Sequence, residues 1–179
     1  FMHILNLKFY CFINQFDKVF INNLANNVSV IYRNYSSNNH LNTIKKIKQT
    51  CEKKGLKFYL SNNIKLAIKL NLNGAYIPSF NKDFSINNFS LKKNFEILGS
   101  AHSLKEIRIK EKQNVNYIFL SPIFYSSKSK RNLGIYRFNN LRKLTNKKIV
   151  ALGGIKITNL NLLKKMNISN AASISLFLK

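Results

Sequence analysis

Eight short apolar runs, separated by segments with helical spacing, recur along almost the whole chain. The runs are rich in β-branched and aromatic residues, which is typical of buried strands. They lie at 7–13, 28–32, 56–61, 74–78, 95–100, 117–121, 148–154 and 171–177. The intervening helical segments lie at 41–55, 63–71, 103–114, 138–145 and 157–167. Because near-continuous apolar strands that alternate with helices form parallel sheets, this pattern restricts the chain to the α/β class.

Eight strand and helix units predict a small closed (β/α)8 TIM barrel, with an open doubly wound sheet as the alternative. The chain has 179 residues, of which 45% are hydrophobic, so we expect one domain over residues 1–179. Such barrels have about 200 residues or more. Since no helical pattern follows the eighth run, we expect the last helix of the barrel to be missing.

The charge balance favours anionic partners. The chain has 30 Lys and Arg against 6 Asp and Glu, which gives a net charge of +24. The basic residues form no arm or tail and no RNP-type or GXXG motif is present, so we expect no specific nucleic-acid partner. Nonspecific binding of polyanions remains an alternative. No apolar run approaches the length of a membrane span, so we expect a cytoplasmic protein without a membrane partner.

The cysteines and histidines give no sign of a transition-metal site. Cys11 and Cys51 lie far apart, which predicts neither a disulfide framework nor a zinc site. His3, His40 and His102 show no ligand spacing with one another or with the cysteines. We therefore expect both cysteines to be ordinary buried residues.

A barrel of this class places its functional groups at the carboxyl ends of the strands, where the last loops commonly bind phosphate. Gly153 and Gly154 end the seventh run, and paired glycines let backbone N–H groups approach an anion closely, although a plain turn is the alternative. Other polar groups expected at this face lie at or just after the ends of the third, fifth and sixth runs: Asn62 and Asn63, Ser100 and His102, and residues 121–131.

His102 has two interpretations. It lies where a catalytic proton carrier would sit, but it also precedes Ser103 and Glu106, which have the spacing of a helix capping box. No carboxylate partner for a catalytic histidine is evident in the sequence. A structural role at the helix start therefore stands beside the catalytic one.

Five segments, in order and at matching spacing, resemble the thiamine phosphate synthase/TenI family. They are IYRNY (31–35), LSNNIKLAIKLNLNGAYIP (60–78), LGSAHS (98–103), YIFLSPIF (117–124) and IVALGGI (149–155). The resemblance implies a (β/α)8 barrel of thiamine biosynthesis. Synthases of the family join an aminopyrimidine diphosphate to a thiazole phosphate and release diphosphate with the help of Mg²⁺. The implied partner is a phosphorylated small molecule.

The same resemblance implies a set of phosphate and diphosphate contacts. The glycine pair after strand seven, the serine of the serine-alanine-histidine motif and the arginine after strand two are all present. The loop after strand six has a serine where synthases usually have threonine, followed by basic residues. The expected substrate contacts are Arg33, Asn62, Ser100, Ser126, Ser127, Lys128, Lys130, Gly153 and Gly154.

The metal side of the family pattern is largely replaced. Where synthases carry Asn-Asp-Asp after strand three, this chain has Ser61, Asn62 and Asn63. Where their second acidic ligand follows strand four, it has PSFN (78–81), with Asp83 as the nearby acid. Mg²⁺ prefers carboxylate oxygens. The resemblance implies Mg²⁺ as a cofactor, but no residue is assigned as its ligand.

Further departures leave the reaction open. Ile31 and Tyr35 replace the glutamine and lysine that flank the family's arginine, and Pro122 stands where TenI-type tautomerases carry a histidine. His102, on the neighbouring strand, is the candidate to replace that histidine. The alternatives are thus a transferase of the synthase type, a thiazole tautomerase, and a barrel that binds phosphate or thiazole without catalysis.

Overall fold

The computed structural model describes residues 7–35, 41–125, 132–173 and 175–177. Eight parallel strands form a closed barrel in chain order, in which each strand pairs with the next and β1 pairs with β8. The strands are β1 (Lys8–Ile13), β2 (Val28–Tyr32), β3 (Phe58–Ser61), β4 (Gly74–Ile77), β5 (Glu96–Ala101), β6 (Tyr117–Leu120), β7 (Lys148–Leu152) and β8 (Asn170–Ser173). The predicted barrel is confirmed, and the open sheet is excluded.

Six α-helices cover the barrel in the described part of the chain. They are α1 (Lys18–Asn23), α2 (Leu41–Lys54), α3 (Ile64–Lys69), α4 (Leu104–Lys112), α5 (Gly134–Lys143) and α6 (Leu160–Lys165). A 3-10 helix, Ser85–Asn88, connects β4 to β5 in place of an α-helix, and Ile157–Asn159 precedes α6. No described helix is long and apolar enough to cross a membrane.

One helix was not predicted, and several boundaries differ from the sequence prediction, most clearly those of α5 and β8. Helix α1 was not predicted, because it is short and buries a single side chain, Ile21. Helix α5 begins at Gly134 rather than at residue 138. The eighth run was predicted as strand over 171–177, but β8 ends at Ser173, whose hydroxyl accepts from the Leu176 N–H at 3.1 Å, and a 3-10 helix spans Ser175–Phe177.

Local sequence signals set the helix ends near the carboxyl ends of the strands. Asn63 caps α3 by accepting from the Leu66 N–H at 3.0 Å. Ser103 caps α4 by accepting from the Glu106 N–H, and the Glu106 carboxylate accepts from the His102 N–H at 2.6 Å. The predicted capping interaction at α4 is therefore present, but the Glu106 carboxylate accepts from the N–H of His102 and not from that of the cap residue Ser103.

The barrel lumen is filled by its own side chains. The inward-facing layer is largely aromatic, and the ring of Phe119 lies 5.3 Å from Tyr76 and 5.0 Å from Tyr10 in edge-on contacts. The buried lumen residues are Tyr10, Phe12, Ile31, Tyr59, Tyr76, Leu98, Tyr117, Phe119, Val150 and Ala172. A filled lumen is a core rather than a pore, so ligands have to bind above it, on the loops.

Candidate active site

A polar layer lies directly above the aromatic lumen at the carboxyl ends of the strands. The Arg33 guanidinium stacks over the Phe12 ring at 4.9 Å from its centroid, which holds a positive charge above the lumen. The Tyr35 hydroxyl is hydrogen-bonded to the Ser61 hydroxyl at 2.8 Å. The loops after β2 and β3 therefore meet at this face, where the sequence placed Arg33.

Ser100 lies beneath this layer and is 4% exposed. Its hydroxyl is hydrogen-bonded to Tyr76, whose pKa burial raises to about 12, while Ser100 and the charge of Arg33 act to lower it. Tyr76 is therefore a neutral hydroxyl at physiological pH. Ser100 is thus linked through Tyr76 to the layer that holds Arg33, and its low exposure leaves little room for direct contact with a large ligand.

The glycine pair after β7 adopts backbone angles that favour glycine. Gly153 has φ +96° and Gly154 has φ +66°. A Cβ atom at Gly153 would lie 2.6 Å from the Pro122 Cβ, and one at Gly154 would lie 2.4 Å from the Tyr125 carbonyl oxygen. Both glycines are thus required by close contact with the start of the loop after β6.

The same contact joins the two predicted phosphate loops. The Ile123 N–H donates to the Leu152 carbonyl at 2.9 Å, and the Phe124 N–H donates to the Gly153 carbonyl at 3.1 Å. Among the described residues, no protein atom accepts a hydrogen bond from the N–H of Gly153 or Gly154. Backbone N–H groups at paired glycines of this kind are donors that can bind an anion.

The ring of His102 is held by neutral partners from two other segments. Its Nδ1 lies 2.9 Å from the Ser121 carbonyl oxygen, and its Nε2 lies 3.2 Å from the Ser79 hydroxyl. These distances fit an Nδ1–H that donates to Ser121 and an Nε2 that accepts from Ser79. The ring contacts the residue immediately before Pro122, so the structure places His102 beside the position where a TenI-type histidine would stand.

The amides at the ends of β3 and β4 bond to each other. The Asn81 side-chain NH2 donates to the Asn62 side-chain carbonyl at 2.7 Å, and the Asn81 side-chain carbonyl accepts from the Asp83 N–H at 2.9 Å. Asp83 accepts from the backbone and hydroxyl of Ser85, which lowers the pKa of its carboxyl group. Each of these side-chain oxygens already has a donor within the protein.

This donor set does not fit Mg²⁺. A divalent ion of this size prefers carboxylate oxygens arranged around a common point, whereas Asn62 and Asn81 offer amide oxygens and Asp83 is the single acid among the three. In the described part of the chain, no group of three or more His, Cys, Asp or Glu residues is placed to hold a metal ion.

A cavity of about 190 Å³ opens between these loops and is lined on its polar side by Asn62, Asn63, Lys65, Asn81, Asp83 and Ser85.

Two exposed aromatic side chains that the sequence did not single out stand over the face. Tyr35 is 52% exposed and Phe80 is 62% exposed, yet their rings are in edge-on contact at 5.7 Å. An exposed aromatic pair at a barrel mouth is a surface on which a planar ring can stack. A sequence signal existed, since Tyr35 replaces the family's lysine and Phe80 lies in the altered PSFN segment.

Four predicted contacts, Ser126, Ser127, Lys128 and Lys130, lie outside the described residues. The described site is therefore formed by the carboxyl ends of strands β2 to β7 with the described parts of the loops that follow them. A filled barrel of eight parallel strands, with a cation, hydroxyls and a glycine pair at the carboxyl ends of its strands, places the chain in the class of (β/α)8 TIM barrels.

Comparison with known proteins assigns the family within that class. A family model described as thiamine monophosphate synthase (TMP-TENI) matches residues 15–177. The chain therefore belongs to the thiamine monophosphate synthase/TenI family, as its sequence segments predicted.

Individual relatives agree with this assignment. A thiamine-phosphate synthase of Prochlorococcus marinus is 31% identical over 136 residues, which are 73% of this chain and 38% of that protein. The enzyme of the same name from Methanococcus maripaludis is 28% identical over 122 residues, 66% of this chain and 58% of that protein. The chain thus matches less than two thirds of the length of these relatives.

The fold is also found in a solved relative. The structure of thiamine phosphate pyrophosphorylase from Pyrococcus furiosus superposes with a TM-score of 0.75 at 18% identity, over 95% of this chain and 86% of that one. At this identity the likeness concerns the fold alone.

Proposed function

We propose that this chain binds a thiazole phosphate at Gly153 and Gly154 and acts as a transferase of the thiamine phosphate synthase type. The observation that carries the proposal is the pair of N–H groups with no protein acceptor among the described residues, at the end of β7. Their positive φ angles turn the backbone so that it can approach an anion. Family membership supports the substrate class.

The opposite side of the face suits the second substrate. The reaction breaks the bond between an aminopyrimidine carbon and diphosphate, so negative charge grows on the leaving group. Arg33, fixed over Phe12, supplies a positive charge where that diphosphate would lie. The exposed rings of Tyr35 and Phe80 supply a stacking surface for the planar pyrimidine. No step in this proposal is assigned to Mg²⁺.

The direct test is to incubate the protein with both synthase substrates, with and without Mg²⁺, and to measure thiamine phosphate. Formation above the no-enzyme background, abolished by the change Arg33→Met, is expected. No product under either condition, with thiazole phosphate still bound in calorimetry, would overturn the transferase activity and leave a binding protein.

A barrel that binds without catalysis is the second candidate, and one observation favours it. The Asn62 and Asn81 amides are bonded to each other at the place where the family pattern has acidic metal ligands. Binding of thiazole phosphate with an unchanged affinity in EDTA, together with no turnover, is what this candidate predicts.

The tautomerase alternative depends on His102. Its ring reaches the Ser121 carbonyl next to Pro122, which supports it as a replacement proton carrier. The variant His102→Gln tests this role, because glutamine keeps hydrogen bonding but cannot carry a proton at neutral pH. Full turnover of a thiazole carboxylate phosphate by that variant would contradict the alternative.

A further inference from the structure

A lysine of helix α4 is completely buried beneath the loop that follows β4. Lys110 is 0% exposed, and its ammonium group donates to three oxygens: the Pro78 carbonyl at 2.9 Å, the Asn81 carbonyl at 2.8 Å and the Gln113 side chain at 2.8 Å. An ammonium has three protons, so each of them has an acceptor. Two of the three acceptors belong to residues 78–83, which we term the 78–83 loop.

Gln113 completes the attachment of the loop. Its side-chain NH2 donates to the Asn81 carbonyl at 3.2 Å and to the Asp83 carbonyl at 2.8 Å. Gln113 is itself 0% exposed. The carbonyl oxygens of the 78–83 loop therefore converge on two buried side chains of one helix and its end, in the way that backbone oxygens surround a bound cation.

Strand β5 provides the space through which the lysine reaches this position. A Cβ atom at Gly99 would lie 2.8 Å from the Lys110 Cδ and 2.9 Å from the Val115 Cγ1. The absence of a side chain at Gly99 thus accommodates the aliphatic stem of Lys110. This packing is independent of the hydrogen bonds at the ammonium, and it shows that the buried position is built into the core.

The positive charge is retained at neutral pH in spite of burial. Burial lowers the pKa of Lys110 to about 8, and the nearby Glu106 carboxylate acts in the opposite direction. No carboxylate contacts the ammonium in the described part of the chain, so its charge is balanced mainly by carbonyl dipoles.

The 78–83 loop connects this cation to the candidate site. Asn81 bonds to Asn62 after β3, and Ser79 bonds to His102 after β5. Phe80, between them, contacts Tyr35 after β2. A group that fixes this loop therefore fixes contacts to three other segments of the site.

We propose that Lys110 is a built-in cation that positions the 78–83 loop over the barrel mouth, so that the organisation of this face does not depend on Mg²⁺. The inference rests on the proposed function only in taking this face as the substrate site. Lys110 acts through the loop and does not touch substrate. Loop order is measured without substrate, so failure of this inference and failure of the transferase reaction give different results.

The test is amide hydrogen exchange of peptides covering residues 78–86 in the protein and in Lys110→Ala. Exchange in this segment is expected to be faster in Lys110→Ala by about tenfold or more, with peptides from β1 unchanged. The matched control is Lys105→Ala, which removes an exposed lysine from the same helix and is expected to leave exchange unchanged. Unchanged protection of residues 78–86 in Lys110→Ala would overturn the proposal.

Chemical rescue shows whether the 78–83 loop needs the positive charge of Lys110 or only the volume of its side chain. Lys110→Ala lacks the atoms of propylammonium, so this ion is expected to restore protection of residues 78–86. Neither 1-propanol nor sodium chloride at the same concentration should do so. Rescue by 1-propanol to the same degree, or an increase in protection of the unaltered protein on adding Mg²⁺, would contradict the role assigned to the ammonium.

A second variant keeps the proposal testable if Lys110→Ala does not fold. Gln113→Leu retains the lysine but removes one acceptor and both donors to the loop. Exchange over residues 78–86 is expected to rise about threefold or more in a variant whose far-ultraviolet circular dichroism is unchanged. No rise in that folded variant would refute the attachment of the loop to α4.

Discussion

The glycine pair after β7 allows a quantitative test because the chain contains a matched control. Gly154 has φ +66° and Gly55, which follows α2, has φ +72°, so alanine meets similar backbone strain at both positions. A Cβ at Gly55 has no atom within 4 Å, whereas one at Gly154 would lie 2.4 Å from the Tyr125 carbonyl oxygen. The difference between the two variants therefore isolates the contact between the loops after β6 and β7.

The magnitudes follow from these contacts. Alanine in the left-handed region costs about 1–2 kcal/mol, offset by about 0.4–1 kcal/mol from the stiffer unfolded chain. Gly55→Ala should thus lower the free energy of unfolding by about 1 kcal/mol. Gly154→Ala should lower it by about 1–3 kcal/mol more, since a collision with backbone forces the loop after β6 to move.

Urea unfolding followed by circular dichroism measures both variants, and calorimetry with thiazole phosphate measures the site. We expect Gly154→Ala to bind the ligand about tenfold or more weakly and Gly55→Ala to bind it normally. Equal unfolding midpoints for the two variants would refute the contact. Normal ligand affinity in a folded Gly154→Ala protein would refute the phosphate site.

Four further predictions concern charge, aromatic contact, pH and salt. Arg33→Met should weaken binding of the aminopyrimidine diphosphate by about tenfold or more in calorimetry. The control Arg137→Met, at an exposed position of α5, should bind it normally, and an equal loss of affinity in both variants would indicate a general effect of charge. Phe80→Leu should weaken the same binding about fivefold, with Phe84→Leu, 46% exposed nearby, as the control that should bind normally. Burial lowers the pKa of Lys110 to about 8, below its unfolded value near 10.4, so the folded protein releases this proton at a lower pH than the unfolded chain does. Raising the pH from 8 to 10 should therefore increase the free energy of unfolding, relative to that of Lys110→Met, by up to about 1.4 kcal/mol per pH unit in urea titrations. A difference that falls with pH would contradict this. Affinity for an oligonucleotide should fall steeply with salt while affinity for thiazole phosphate falls little, and the reverse order would favour a polyanion binder.

The barrel could be predicted because its signal is repeated and local. Each strand has an apolar run of its own, and eight runs in register with helices between them leave few ways to cover both faces of the sheet. The end of β3 was therefore placed at the observed residue and that of β5 within one residue, whereas β7 ends at Leu152, two residues before the end of its predicted run. The predicted end of the eighth strand was wrong because its apolar residues suit a strand and a partly buried 3-10 helix equally.

The contacts that hold the loops of the site together could not be predicted. Lys110 lies in a helix rich in charged residues, where a lysine ordinarily faces solvent, and its burial depends on the space left by Gly99 on a strand eleven positions earlier. The Asn62 and Asn81 pair joins residues that are 19 positions apart. Such pairings depend on the tertiary arrangement of loops, which periodicity does not encode.

The aromatic filling of the lumen also limits how substrates and products can reach and leave the proposed site. With the rings of Tyr10, Phe12 and Tyr76 all packed against Phe119, the barrel offers ligands no passage through its axis. In the proposed transferase reaction, two substrates and two products would all enter and leave through the same face of the barrel. The substrate that binds deepest has to bind first, and the product left at that position has to leave last. We therefore expect a compulsory order of binding, which is detected as competitive inhibition by only one of the two products.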